Sequence, residues 1–132
     1  MSCEMWIVVD ATPLYDLGQI GELDLLSVPD GRLVIPEAVA GEITVEPAAT
    51  NLERLLEEND VETEPDCADW LDDAQRLLGA SSATSDAWVV ACLLAARDRG
   101  EEAALLSDDS RLRAVAEGLG ATVTGTFGVI VR

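Results

Sequence analysis

Two short apolar runs, each broken off by acids, constrain the fold more than any other feature. Ala103-Ala104-Leu105-Leu106 passes directly into Ser107-Asp108-Asp109, and a helical pattern with Leu112, Val115, Ala116 and Leu119 on one face follows. Met5-Trp6-Ile7-Val8-Val9 likewise runs straight into Asp10. Uninterrupted apolar runs of this length are what a strand buried on both faces requires. Strands alternating with helices imply a parallel sheet covered by helices, with right-handed crossovers. Sheets of that kind hold ligands at the carboxyl ends of their strands. One acid at such a point is explained by helix capping. Two acids and a serine are more than a cap needs.

The rest of the chain fits the same alternation. After Asp10, Thr12 is a good N-cap and Pro13 suits the first helical position, with Leu14, Leu17 and Ile20 as the apolar stripe. Leu23 and Leu26 mark a further helical turn, and Pro29-Asp30-Gly31 a chain reversal. Residues 32–35 read as a second strand, and Pro36 opens a helix whose apolar face includes Val39 and Ile43. Residues 46–83 form a mostly helical excursion. Its stripes are Ala48, Leu52, Leu55 and Leu56, then Cys67, Trp70, Leu71, Ala74, Leu77 and Leu78. Between them, residues 60–64 are an edge strand or a linker. Thr84 or Ser85 caps a helix that is apolar on nearly every side over 87–96, as in a buried helix. Arg97-Asp98-Arg99-Gly100 closes that helix. Residues 121–124 read as a last strand, followed by a turn at 125–128 and the apolar Val129-Ile130-Val131.

This layout sets several carboxylates at one edge. With Thr12 as the cap, Asp10 has no structural task beyond that of a turn aspartate. If the strands before Asp10 and Asp108 are neighbours, Asp10, Asp108 and Asp109 share a crevice, and Asp86 heads the helix that feeds the second strand. Such a cluster repels itself, which raises its pKa values until a cation relieves it. Oxygen-only ligands select Mg²⁺ or Mn²⁺. A site of that kind supports in-line displacement at phosphorus. For Glu42, spacing alone favours a solvated position on the flank of its helix.

Composition narrows the alternatives. At 132 residues the chain is expected to form one domain, 1–132. It carries 26 acidic against 8 basic residues, a net charge of -18, with no His and every basic residue an Arg. The lack of lysine removes a receiver domain and a Walker-type phosphate loop. A haloacid-dehalogenase-like phosphatase expects Asp-x-Asp, whereas Asp10 is followed by Ala11 and Thr12. A folded chain with this much self-repulsion suits a solvent that screens it, and at 1 M salt the Debye length is only about 3 Å. A high-salt cytoplasm is therefore expected. There is no run of about 20 apolar residues to span a bilayer and no signal-peptide pattern. Cys3, Cys67 and Cys92 lack zinc-ligand spacing and read as reduced thiols, Cys92 within the core. No basic patch of the kind nucleic-acid binders carry is visible. Arg111 and Arg113 are the nearest candidates for phosphate contacts, with intrahelical pairing as the alternative.

Taken together, the motifs resemble the PIN-domain family, in particular its single-domain, VapC-toxin-like ribonucleases. The resemblance runs from about Met5 to Val131. It rests on Val8-Val9-Asp10-Ala11-Thr12, on residues 35–43 (Ile-Pro-Glu-Ala-Val-Ala-Gly-Glu-Ile), on Ser85-Asp86-Ala87 and on Leu106-Ser107-Asp108-Asp109 with the helix that follows. It implies an α/β three-layer sandwich with a mainly parallel, roughly five-stranded sheet. The family's acidic quartet transfers to Asp10, Glu42, Asp86 and Asp109, with Asp108 able to share the last role as a metal ligand. Thr12 and Ser107 fall at supporting positions. The resemblance further implies Mg²⁺ or Mn²⁺, an RNA substrate, an antitoxin partner and a homodimer. The competing reading is a PIN-like module that binds a protein partner without catalysis.

Overall fold

The computed structural model describes residues 5–26, 31–63 and 66–125. Four strands, β1 (Met5–Val9), β2 (Gly31–Val34), β3 (Ala103–Leu106) and β4 (Thr122–Thr124), form one sheet in the order β2-β1-β3-β4. Every pairing is parallel. The expected parallel α/β sheet flanked by helices is thus found, with four strands among the described residues. A fifth position is hinted at on the β2 edge. Glu62 forms a single parallel bridge with Val34, donating its N–H to the Leu33 carbonyl and accepting from Ile35 N–H, both at 2.9 Å. Of the expected 60–64 segment, Glu64 lies outside the described residues, and among the described ones Glu62 alone bridges β2. Asp30, Cys3 and the apolar 129–131 run lie outside the described residues.

The sheet's centre is its most apolar part. Trp6, Ile7, Val8 and Val9 of β1 are all buried, as are Leu105 and Leu106 of β3. Register sets Val8 beside Leu105 and Val9 beside Leu106, so Asp10 and Ser107 emerge at the same level. Asp10 N–H donates to the Leu106 carbonyl at 2.9 Å, carrying the ladder one residue past the strand.

Six helices flank the sheet: α1 (Ala11–Gln19), α2 (Glu37–Ala40), α3 (Ala48–Glu58), α4 (Leu71–Leu78), α5 (Ser85–Asp98) and α6 (Ser110–Gly118). They form two packed groups, α1 with α3, and α5 with α2, α4 and α6. Helix α5 is the buried one. Ala87 and every residue over 89–96 are removed from solvent, as its all-round apolar sequence requires. Leu23 and Leu26 are buried on one 3-10 turn, where residues three apart eclipse one another.

Two apolar positions depart from their expected stripes. Ile20 is 58% exposed, because α1 ends at Gln19 and the helical period no longer points it inward. Leu77 is 48% exposed, at the edge of the narrow α4 face made by Ala74 and Leu78. Gly18, near the end of α1, has a packing role. A Cβ there would stand 2.8 Å from the Ala48 Cβ and 2.9 Å from its Cα, so this glycine is what lets α1 and α3 touch.

Candidate active site

The parallel pairing of β1 with β3 is what creates the site. Asp10 is only 6% exposed and Ser107 is fully buried. The Ser107 hydroxyl donates to Asp10 Oδ2 at 2.9 Å and accepts the Asp109 N–H at 3.1 Å. Its own N–H is held by the Thr124 carbonyl at 3.0 Å, which ties the turn to β4. One buried hydroxyl therefore links the acid that ends β1 to the turn that ends β3, across 97 residues of sequence.

The capping arrangement differs from the expected one. Asp10, not Thr12, occupies the N-cap position of α1, and no side chain makes the capping hydrogen bond. Thr12 is exposed, inside the first turn of the helix. The physical reason is the ladder bond above, which leads the chain from β1 into α1 with only Asp10 between them. The Asp10 carboxylate is turned to Ser107 and so is withheld from capping. Asp109 does both jobs: it is the N-cap of α6, its Oδ1 accepting from Leu112 N–H at 2.9 Å. At α5 the cap is Thr84, whose hydroxyl accepts from Ala87 N–H at 3.3 Å. Asp86, half-buried in the first turn of α5, is released from capping as the sequence suggested.

Electrostatics group the acids. Burial pushes the Asp10 carboxyl above its usual value; the Ala11 N–H and the Ser107 hydroxyl partly offset this, and the charges of Asp109 and Glu42 add to it. Asp86 is also raised, first by burial, then by Asp10, Asp109 and Glu42, with the Arg111 guanidinium acting in the opposite sense. Asp10, Glu42, Asp86 and Asp109 thus act on a common region, although Glu42 and Asp109 are exposed. Glu42 arrives by way of the turn after α2, where its N–H donates to the Val39 carbonyl at 3.0 Å. That reversal, invisible in residue spacing, brings it to the other three.

The remaining candidates separate. Asp108 is exposed and is not among the charges acting on Asp10 or Asp86. Its Oδ1 lies 2.7 Å from where a Cβ on Gly125 would be, with the Arg113 Nη1 3.7 Å from the same point. Asp108 and Arg113 are therefore directed to the end of β4. Arg111 instead reaches toward Gly79, its Nη2 lying 3.3 Å from the equivalent point there, while its charge is felt at Asp86. The intrahelical ion pairs offered as an alternative for Arg111 are not formed among the described residues. Gly79, with φ 66°, is the left-handed C-cap of α4, and Gly125 leaves room for Asp108. Neither glycine was singled out from sequence as part of this region, since each acts through the space it leaves.

Among the described residues no group of three or more Asp, Glu or Cys side chains is already arranged as a metal cage. The donor chemistry nonetheless fits a hard divalent cation: oxygen ligands only, one of them buried, pressing on one another electrostatically. No helix among the described residues is long and apolar enough to cross a membrane.

Comparison with known proteins agrees with this geometry. No curated protein is similar enough to the chain to be matched with it. The family described as DUF3368, a PIN domain, matches residues 6–132. That match takes in all four strands, the turns that carry the acids and the helices between them, and the chain is a member of the PIN-domain family.

Proposed function

We propose that the chain is a metal-dependent endoribonuclease that hydrolyses RNA phosphodiesters with Asp10, Glu42, Asp86 and Asp109 around Mg²⁺ or Mn²⁺. PIN domains are commonly nucleases and generally bind divalent metals. The observation that carries the reading is the buried Asp10, held by Ser107 and raised by its burial and by the charges of Asp109 and Glu42, which come from two other parts of the chain. A fold gains no stability from collecting like charges, so the arrangement is better explained by a cation that they share.

In this reading Asp10 and Asp86 are the inner carboxylates, and Asp109 and Glu42 complete the set from the solvent side. The bound cation supplies charge stabilisation for in-line displacement at phosphorus. Ser107 is a positioning residue that fixes the Asp10 rotamer. Arg111 is the phosphate contact, being the cation whose charge reaches the acids. Arg113, directed with Asp108 to the end of β4, is not assigned that role. The family points to RNA and antitoxin proteins as partners, and the chain is proposed to act as the toxin of such a pair, as a homodimer in the cytoplasm.

The test is cleavage of an RNA pool in molar KCl with Mn²⁺ or with chelator, comparing the natural chain with Asp10→Asn. Molar salt screens the repulsion between RNA and a chain of net charge -18. Cleavage that needs metal and disappears in the variant is the expected result. A folded protein that binds Mn²⁺ and cuts nothing would instead favour a binding module without catalysis. Absence of Mn²⁺ binding would leave the acids with a purely structural role.

A further inference from the structure

Two cysteines separated by 25 residues meet in the fold. The Cys67 and Cys92 sulfurs are 3.4 Å apart, and both residues are wholly buried free thiols. Cys92 lies in the middle of α5. Cys67 precedes the 3-10 turn Ala68–Trp70, which leads into α4. A disulfide is about 2.05 Å between sulfurs, so closure requires only small adjustments of side chains already in contact.

The two thiols are not equivalent. The hydrogen bond from Cys92 lowers the Cys67 thiol below its usual value, and the Arg99 guanidinium acts in the same direction against the effect of burial. That same hydrogen bond, with burial, holds Cys92 in the protonated form. Arg99 is fixed in place: its Nη2 donates to the Asp66 carbonyl at 2.9 Å, and its guanidinium sits 5.2 Å from the centre of the Trp6 ring. Cys67, next to the Asp66 carbonyl that holds the Arg99 guanidinium, is placed to be the nucleophile, and Cys92, in the middle of α5, to be the resolving partner.

We propose that Cys67 and Cys92 form a redox-responsive dithiol that closes to an intrachain disulfide and clamps the entry to α4 onto α5. The oxidant is a peroxide. The Cys67 thiolate attacks one peroxide oxygen and the O–O bond breaks; the leaving hydroxide takes up a proton as water, and Cys67 becomes a sulfenic acid. The Cys92 sulfur then attacks the Cys67 sulfur, its proton is lost, the S–O bond breaks and a second water leaves. Two thiols are oxidised and one peroxide is reduced to two waters. Access requires the turn beside the exposed Asp66 to open, so the reaction is slower than that of a surface thiol. Because α5 carries Asp86 and α4 ends at the Gly79 that faces Arg111, the clamp secures the two helices that frame this side of the acids.

The test uses the full chain with Cys3→Ser, which leaves the pair as its only thiols. Folded protein is treated with hydrogen peroxide, alkylated under denaturing conditions and weighed. The expected result is loss of two hydrogens per chain, no alkylation, and a melting temperature higher by roughly 10 °C that a thiol reductant reverses. Cys67→Ser in the same background shows none of these changes. Survival of both thiols, crosslinking between chains, accumulation of a sulfinic acid at Cys67, or a disulfide with no change in melting temperature would each overturn the proposal.

Discussion

Asp10 illustrates how much a single residue is asked to do. It ends β1, begins α1 and lies buried against Ser107 with other carboxylates pressing on it. A carboxyl raised above the usual 3.8 holds its proton more tightly in the folded state than in the unfolded one. Its ionisation therefore opposes folding. Stability is full at acidic pH and declines as pH rises from about 4 through the raised value. In metal-free protein at neutral pH, Asp10→Asn is thus expected to raise the melting temperature by a few degrees, while removing cleavage. Divalent cation is expected to stabilise the natural chain more than the variant. Calorimetry with and without Mn²⁺ measures both effects, and a variant less stable than the parent at pH 7 would contradict this account. Ser107→Ala leaves the Asp109 N–H and the Asp10 carboxylate without their shared partner. It should cost about 1–3 kcal/mol by chemical denaturation. Of the candidate residues, Asp10 and Asp109 stood out in the sequence because each follows an apolar run, and Asp86 because it heads a helix that is apolar on nearly every side. Glu42 was legible only by resemblance, since the turn that redirects it leaves no period in the sequence. Thr12 was misplaced as a cap because a good capping residue was available two residues beyond the acid that the ladder selects.

At the scale of the element, the helices differ in what a cap or a contact contributes. Thr84 caps α5, and α5 presents Asp86. Thr84→Ala should lower stability by about 1 kcal/mol and reduce cleavage as well, because fraying of this turn moves an acid. Thr84→Ser, which keeps the hydroxyl, should restore both. In α1 the sensitive point is Gly18. Alanine ordinarily gains about 1 kcal/mol over glycine inside a helix, but here its methyl would meet Ala48 at 2.8 Å. Gly18→Ala should therefore destabilise the fold by about 1–3 kcal/mol, read as a shift in the urea midpoint. Sequence reading located the elements well because apolar periodicity reports which face is buried. It cannot report how closely two faces approach, which is why the contact of Gly18 with Ala48 left no sign in the sequence. Nor could it show that Cys67 and Cys92 meet, since their proximity is a property of how α4 is laid against α5.

For the whole molecule the charge balance is decisive. A net charge of -18 on 132 residues works against compactness in dilute buffer, and salt screens it. The melting temperature is expected to climb steadily between 0.1 M and 2 M KCl. A flat profile would mean that the acids are neutralised in some other way. The fold class was legible because two all-apolar runs can be satisfied only inside a covered sheet. The number of strands was less so: the β2 edge gains a single bridge at Glu62, too short to leave an alternating pattern.

The bond between Ser107 and Asp10 joins positions 97 residues apart, and this has a consequence for synthesis. β1 is made early, yet the strand that completes its acidic crevice follows only after most of the helices. A nascent chain on the ribosome therefore carries Asp10 without its hydroxyl partner, and with no crevice around it, until the 97 residues to Ser107 have been made. On the function proposed above, the machine that makes the chain is not exposed to RNA cleavage until β3 docks. Docking strands so far apart in sequence is slow compared with closing local helices. The order of the strands thus acts as a delay, in which the site cannot exist before β3 has been made.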